Sequence, residues 1–347
     1  MSTKLHVLPE SEVEIEGTLS VEDYSTERAA VLHELNKEIS LPGFRKGHVP
    51  ENILVERVGE ISILSQMVDR AVRARYPEFI MEHNLIPIGR PHIHIEKVES
   101  GKPVDFKIHT AVFPTLSLPD YKALAKDFKK TDVAAVETKD IDAVLADLQK
   151  MKARNNETET EPLKEGEEKK EPVLPELNDE FAQALGPFPT IVALREKIGE
   201  NLKFEREKES KDKHRLLILE AVIEKTKAEI PKILIESELG IMFSELRSSI
   251  SRAGLEWDEY LKKINKTEDD MRKEWHDQAK KRAIANLVLR EIGKLENLAP
   301  DDEAITTEVL RILNDYQGAD PERTRAYVEE VLFNDKVFTF LEKASEK

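Results

Sequence analysis

The chain has 347 residues, no cysteine, and a formal charge of −16, from 53 lysines and arginines against 69 aspartates and glutamates. Without cysteine it forms no disulfide, no thiolate nucleophile and no cysteine-ligated zinc site. Neither the first 113 residues nor the remainder is basic as a whole, which argues against a general nucleic-acid binder and against DNA as a partner. No apolar stretch has the length of a signal-peptide core or a membrane span, so we expect a cytoplasmic protein without membrane contact.

The first part of the chain predicts a small α+β domain, residues 1–113. Apolar and polar residues alternate in EVEIEGTLSV, which indicates a half-buried strand. Ser20 and Asp23 have the spacing of a capping box at the start of a helix. Two more helices are predicted, one from Pro50 and one over residues 61–83. The runs HIHIEKV and VDFKIHTAVF alternate again around the turn signal ESGKP and predict a hairpin.

The remaining chain predicts an all-α region. Residues 114–154 are interpreted as a connecting extended piece and a helix. Residues 155–172 are interpreted as an acidic flexible linker, because NNETETEPLKEGEEKKEP holds one large apolar residue and no aromatic residue. Residues 173–347 are expected to form a helical domain, since their apolar spacing, capping residues and prolines predict successive helices. The main predicted helices cover residues 190–228, 231–254, 267–298, 301–316 and 321–345.

The stretch LPGFRKGHVP, residues 41–50, is the most distinctive of the chain. Its two prolines and two glycines predict a stiffened projection. At the tip, Phe44 offers an apolar anchor, Arg45 a planar fork for a carboxylate or phosphate, and Lys46 a point charge. An aromatic ring beside an arginine is typical of interface hot spots. A surface turn whose phenylalanine folds back onto its own domain is the alternative, and composition alone leaves both open.

A second basic group is predicted on a helix. Arg70 and Arg73 are one helical turn apart, whereas Arg75 points elsewhere. Charge runs on helices usually face solvent, so we interpret these three residues as a solvated face. His214 and His276 lie in highly charged helical segments, and we expect both to be solvated as well.

No catalytic motif is found in the sequence. His92 and His94 share one strand face with His109 on the predicted partner strand, but no recognised ligand motif places a carboxylate beside them. The chain has no nucleophile elbow, no phosphate-binding glycine loop and no His-Glu-x-x-His sequence. We therefore predict no catalytic residue, no metal site and no cofactor.

The helix predicted in PKILIESELGIMFSEL has more apolar surface than packing on one side requires. Most of these residues are expected in a core. The surplus is a candidate lining for an apolar client, and Met242 and Phe243 are its best members because flexible methionine suits promiscuous apolar binding. Ile233, Leu234 and Leu246 complete the candidate set.

These segments resemble one known family. GFRKGHVP is similar to the ribosome-binding signature of bacterial trigger factors, which are chaperones at the nascent-chain tunnel exit. LPELNDEFAQALG resembles the opening of their C-terminal domain, and IPKILIESEL resembles the helix that begins one of their two arms. The resemblance covers nearly the whole chain, and the loop is its most specific part.

The resemblance implies an elongated multidomain fold: an α+β ribosome-binding domain followed by an all-α chaperone domain with helical arms. The arms would cradle unfolded nascent polypeptides without ATP, and a homodimer is expected away from the ribosome. The docking partner would be the large ribosomal subunit, through a protein and the adjacent rRNA. Six loop residues would form or shape the contact: Gly43, Phe44, Arg45, Lys46, Gly47 and Pro50.

The sequence departs from the family at one place. Trigger factors normally carry a prolyl-isomerase domain between the two parts, and such a domain needs about 100 residues. Only the linker of residues 155–172 is found there, so we expect no isomerase activity. Three alternatives remain: an isomerase with an unusual site, a helical scaffold or assembly factor without ribosome contact, and a periplasmic chaperone of related architecture. The missing signal peptide counts against the last.

Overall fold

The computed structural model describes residues 3–42, 44–45, 47–129, 133–158 and 174–345. Within them lie four strands: β1 (Thr3–Leu8), β2 (Glu12–Leu19), β3 (Pro87–Ile95) and β4 (Val104–Val112). The helices of the first half are α1 (Val21–Ser25), α2 (Arg28–Glu38), α3 (Glu51–Val58), α4 (Glu60–Glu82), α5 (Tyr121–Asp127) and α6 (Thr138–Thr158). The second half contributes α7 (Asp179–Leu185), α8 (Ile191–Lys225), α9 (Lys232–Arg252), α10 (Trp257–Ile264), α11 (Glu268–Leu295), α12 (Asp302–Asp315) and α13 (Pro321–Ser345).

The four strands form one antiparallel sheet in the order β1-β2-β4-β3. This confirms the predicted α+β class of the first part and the predicted hairpin of β3 and β4. Strand β1 is an addition to the prediction, because its six residues TKLHVL alternate too briefly to be distinguished from a loop. It pairs along β2, with Leu5 opposite Ile15.

Helices α1–α4 cover one face of the sheet and form its core. The strand period of two places Ile15, Phe106 and Ile108 on that face, where all three are buried. Gly17 lies opposite Phe106 in the β2–β4 register. A Cβ atom at Gly17 would lie 2.7 Å from the Phe106 ring, so the glycine makes the space that the ring occupies. The predicted capping box of Ser20 is present and begins α1.

The chain divides into two compact units, and the first comprises residues 1–119 and 225–298. Besides the sheet core, this unit holds a second core between α9 and α11. Phe113 and Leu116, which follow β4, pack against that second core. The Arg290 guanidinium of α11 lies 4.8 Å from the centre of the Phe113 ring. The end of the sheet and the root of the α9–α11 pair are therefore continuous.

A bulge in β3 completes this connection. The register of β3 against β4 shifts between Ile88 and His92, and Gly89 in the bulge has a φ of +77°. A Cβ atom at Gly89 would lie 2.2 Å from Cδ1 of Ile233, the second residue of α9. The isoleucine thus fills the space left by the missing side chain. We call this contact the Gly89–Ile233 joint.

The second compact unit comprises residues 120–224 and 299–347. One of its cores lies between α6, α7 and α8, with Leu145, Phe181 and Leu194 at the centre. Helix α13 packs against α5 and α12. The Arg215 guanidinium of α8 binds both carboxylate oxygens of Glu342 in α13, at 2.9 Å and 3.1 Å. These contacts order the helices of the unit through side chains far apart in the sequence.

The long helices agree with their predicted bounds, whereas the short helices α5, α7 and α10 were not separately predicted. Helix α6 continues to Thr158 and so occupies the first four residues of the predicted linker 155–172. The rest of that linker lies outside the described residues. The predicted domain bounds at residues 113, 154 and 172 stay predictions. No helix among the described residues is long and apolar enough to cross a membrane.

Candidate functional site

The loop of residues 39–50 connects α2 to α3 and is anchored at both ends. On the first limb, Ile39 and Leu41 pack against the sheet core. On the second limb, Val49 is buried in the same core. The limbs are joined through Asn36 in the last turn of α2, whose side chain bonds the backbone of Val49. Only the segment between the anchored limbs projects into solvent.

Two short-range backbone hydrogen bonds lie at the tip. The Phe44 N–H donates to the Leu41 carbonyl at 3.1 Å, and the His48 N–H donates to the Arg45 carbonyl at 3.0 Å. Gly47 has a φ of +86°, in the left-handed region that favours glycine. These features concern the described residues of the tip, and the stiffened projection stays a prediction.

The side chains of the tip differ in exposure and pairing. Phe44 is 37% exposed, so part of this apolar side chain is open to solvent. Arg45 is exposed and makes no ion pair with any residue that the structure describes. Gly43 and Lys46 lie outside the described residues, and their predicted roles stay predictions. Pro50 is exposed and serves as the N-cap of α3, close to the first-turn position predicted for it.

A partly buried arginine ties the helices around the loop together. Arg28 at the start of α2 donates to Glu60 of α4 at 2.6 Å and lies 3.4 Å from Glu51 in the first turn of α3. The hydrogen bond that Arg28 donates to Glu60 raises the pKa of Arg28, with Glu51 adding to the effect. The first residues of three helices are thereby held in one place, which fixes where the second limb of the loop leaves the domain.

The other basic group of this domain is neutralised within the domain. The arginines of α4 that were predicted to form a solvated face are partly exposed, and each also pairs with a carboxylate of α1, of α2 and its N-cap, or of α4 itself. This pairing leaves little positive potential for a phosphate, in contrast to Arg45. The pairs are Arg70 with Glu27 and Glu34, Arg73 with Asp69, and Arg75 with Asp23.

The strand histidines lie on the outer face of the sheet. His92 stands opposite His109 in the β3–β4 register, and His109 Nε2 lies 2.7 Å from Glu14 Oε2. His94 stands opposite Lys107 instead. No group of three or more His, Asp or Glu side chains able to hold a metal occurs within the described ranges. The histidine row therefore lies on the outer face of the sheet, with His109 beside the Glu14 carboxylate.

One of the two helical histidines differs from its prediction. His214 is buried, and its Nε2 lies 2.9 Å from the carbonyl oxygen of Phe128. The prediction of a solvated His214 is wrong, because the segment after α5 covers this part of α8. His276 is half exposed beside Asp277, as expected for a solvated residue.

The candidate client residues of α9 lie mostly inside the protein. Phe243 is 4% exposed, and its ring centre lies 4.9 Å from that of Trp275 in α11. Met242 is buried in the α9–α11 core, and Leu234 packs against it. Ile233 belongs to the Gly89–Ile233 joint, although part of its side chain remains exposed. The structure thus gives these residues packing roles. Helix α9 has so many apolar residues because neighbouring elements cover it on more than one side.

A groove between α12 and α13, which the sequence did not predict, is more exposed to solvent than the apolar residues of α9. Helices α12 and α13 form a groove with a volume of about 930 Å³. Its walls include Tyr316 and Tyr327, which are 68% and 62% exposed, and the exposed Val331. The sequence carries a signal for it, since Thr324, Tyr327, Val328 and Val331 have the helical spacing of one face.

Comparisons with known proteins agree on one family. Residues 1–148 match the family model described as bacterial trigger factor protein, and residues 190–343 match the one described as bacterial trigger factor protein C-terminus. No prolyl-isomerase domain is matched between residues 148 and 190. The trigger factor of Halothermothrix orenii is 27% identical, with 95% of this chain and 94% of that protein covered. That alignment runs over 405 positions, more than the 347 residues of this chain, so the relative has residues without a counterpart here.

Two further relatives and a solved structure extend the likeness. The trigger factor of Moorella thermoacetica is 27% identical over 93% of this chain and 87% of its own. That of Clostridium botulinum is 23% identical, and both chains are covered completely. A solved structure, described as concerning promiscuous substrate recognition in folding and assembly activities of the trigger factor chaperone, superposes with a TM-score of 0.56 at 18% identity. It covers 99% of each chain and supports the fold.

Proposed function

Because the chain belongs to the bacterial trigger factor family of chaperones, we propose that it docks on the large ribosomal subunit through residues 41–50 and holds emerging polypeptides on its helical surfaces. The observation that carries the docking proposal is the state of the tip. Arg45 is exposed and lacks an ion pair among the described residues, whereas Arg28, Arg70 and Arg75 of the same domain bind carboxylates. Phe44 stands beside it with its ring partly open.

Charge determines which part of the chain approaches the ribosome. The chain as a whole carries −16 and is repelled by the phosphates of rRNA. The tip is a local exception, where Arg45 and Lys46 follow each other in the sequence. An arginine fork binds a phosphate or a carboxylate with two parallel hydrogen bonds, which fixes orientation as well as affinity. Repulsion elsewhere and attraction at one point together orient the protein on the subunit.

The apolar ring supplies the rest of the docking energy. Two cations alone give an affinity that salt weakens readily. Burial of the open part of Phe44 against a ribosomal protein is insensitive to salt and adds to it. The partner surface is therefore composite: phosphate oxygens for the cations and an apolar pocket for the ring.

Client binding is proposed for exposed apolar surfaces of the helical part. The α12–α13 groove presents two tyrosine rings that are mostly open, and Phe204 of α8 is 68% exposed. Several weak apolar contacts on one molecule bind an unfolded chain by avidity and need no sequence code. Such contacts also release a client without ATP, because each one separates easily.

Co-sedimentation with empty large subunits tests the docking proposal. The variant Phe44→Ala/Arg45→Ala/Lys46→Ala should remain in the supernatant, whereas the unmodified chain should pellet with the subunits. A matched control is Lys37→Ala/Arg57→Ala, which also removes two cations from exposed positions flanking the loop. The control should bind like the unmodified chain. Undiminished binding of the triple variant would refute the docking proposal.

A separate assay addresses the clients. The variant Tyr316→Ser/Tyr327→Ser removes both open rings of the groove without touching the buried residues of α12 and α13. It should suppress the aggregation of a diluted unfolded protein less effectively than the unmodified chain. Equal suppression by both would remove the groove from the proposal.

A further inference from the structure

One asparagine holds the second limb of the loop. Asn36 Nδ2 donates to the Val49 carbonyl at 2.8 Å, and Asn36 Oδ1 accepts from the Val49 N–H at 2.9 Å. The backbone carbonyl of Asn36 also accepts from the Gly47 N–H at 3.0 Å. Three hydrogen bonds thus run from one residue of α2 to the far side of the loop. We call this arrangement the Asn36 bracket.

The chemistry of the bracket suits asparagine specifically. A donor and an acceptor on one short side chain are needed to satisfy both the N–H and the C=O of the same backbone residue. Aspartate offers only acceptors when ionised, and leucine has a similar size but no polar atom. Glutamine has both groups but is one methylene longer. Asn36 therefore satisfies both backbone groups of Val49, as a neighbouring strand would in a sheet.

The bracket acts where the loop meets the core. Val49 is buried, so its backbone groups need partners away from water. Asn36 provides those partners, and it is itself partly buried at the end of α2. Without the two side-chain bonds of Asn36, the limb from Gly47 to Val49 keeps the backbone bonds of Gly47 and His48 and the packing of Val49, but the backbone N–H and C=O of Val49 lose their partners. The tip then samples more conformations, and each of them must be ordered again on binding.

We propose that Asn36 is a positioning residue for ribosome docking: the Asn36 bracket presents Phe44 and Arg45 in their binding arrangement before contact. This inference rests on the docking function proposed above and deepens it. Asn36 lies below the tip and contacts the loop backbone, so its effect on affinity passes through the order of the loop.

Two variants of graded severity measure the effect. Asn36→Leu removes both side-chain bonds, and Asn36→Asp keeps the acceptor but sets a carboxylate against the Val49 carbonyl. Two hydrogen bonds of ordinary net strength predict at most about a thirtyfold loss of affinity for empty large subunits in Asn36→Leu. Lys37→Ala, at the neighbouring exposed position of α2, should leave the affinity unchanged.

Three readouts separate positioning from a general loss of structure. The dependence of affinity on salt should stay that of the unmodified chain, because the cations still reach their phosphates. Hydrogen exchange at the Val49 amide should accelerate about tenfold, while exchange at Ile108 in the sheet stays unchanged. In the Phe44→Ala background, Asn36→Leu should cost less than it costs alone, because the two residues act through the same loop.

The outcomes distinguish this inference from the docking proposal itself. Failure of the unmodified chain to bind large subunits overturns docking. Unmodified affinity in Asn36→Leu, with docking intact, overturns the positioning role alone. The positioning role is also overturned if Asn36→Leu weakens binding equally with and without Phe44, or if Ile108 exchanges faster as well. If Asn36→Leu proves unfolded, Asn36→Gln supplies the comparison without a change of charge, because its amide is one methylene too long for both bonds to Val49.

Discussion

The Gly89–Ile233 joint gives a sharp test of how the sheet and the α9–α11 pair form one compact unit. In the variant Gly89→Ala, the alanine must adopt a φ of +77°. Its methyl group would lie 2.2 Å from Ile233 Cδ1. A left-handed φ costs an L residue about 1–2 kcal/mol. Displacing Ile233 from its rotamer adds about 0.5–1.5 kcal/mol. We therefore expect a loss of about 2–3 kcal/mol in the free energy of unfolding.

A second substitution separates the two causes. Ile233→Val removes Cδ1, and the next atom of Ile233, Cγ1, lies 3.7 Å from the ideal Cβ position, an ordinary contact distance. The single variant Ile233→Val should cost about 0.5–1.5 kcal/mol. In the double variant Gly89→Ala/Ile233→Val, the part of the lost unfolding free energy that comes from the clash with Ile233 should be recovered. The part that comes from the left-handed φ should remain. Such a shortfall from additivity is the signature of residues that touch.

Tryptophan fluorescence during urea unfolding is the suitable assay. The chain has two tryptophans, Trp257 and Trp275, and both lie in the first compact unit. Their fluorescence therefore follows the unit that contains the joint. An unchanged urea midpoint for Gly89→Ala would refute the steric reasoning. Strict additivity in the double variant would show that Ile233 does not occupy the space above Gly89.

Three further expectations concern other parts of the chain. The Ser20 hydroxyl, followed by Arg75, lowers the pKa of Asp23, so this carboxylate stabilises the fold above its unfolded-state pKa of about 3.9 and loses that contribution as the pH falls through the folded value. Asp23→Asn should accordingly lower the urea midpoint at pH 7 and converge with the unmodified chain in acid; a constant difference would contradict this. Arg215→Met leaves Glu342 without its bidentate partner and should lower the free energy of unfolding by about 3–5 kcal/mol. Thermal unfolding followed by circular dichroism measures this loss, and adding Glu342→Gln should restore part of it. An unaltered thermal midpoint in Arg215→Met would show that the pair is dispensable. A proline-peptide assay should give the uncatalysed isomerisation rate, and any acceleration that scales with protein concentration would overturn the expectation of no isomerase activity.

Local chemistry in the sequence predicted the long elements well. The capping box predicted at Ser20 is present. The helix starts predicted at residues 231 and 267 also hold, because Pro231 is the N-cap of α9 and Thr267 begins α11 with a second capping box. These features depend on residues within one turn of each other, so they can be identified from spacing alone. The short strand β1 and the short helices were missed because brief elements owe their stability to tertiary partners.

The details of the site depended on distant contacts. Sequence reasoning found the loop, since its composition is unusual in an acidic chain. It did not find Asn36, which is an ordinary polar residue until Val49 folds back beside it. It also assigned Met242 and Phe243 to client binding, and the structure buries both against α11. An apolar excess on a helix shows that something covers it, and only the fold shows what.

The salt dependence of binding to empty large subunits tests the docking account most directly. Two released counterions predict a slope near −1.8 in a plot of log affinity against log salt, or about a tenfold loss between 50 and 200 mM. Arg45→Ala/Lys46→Ala should bring the slope close to zero. Phe44→Ala should lower the affinity and leave the slope unchanged. A slope that survives removal of both cations would contradict docking through this loop.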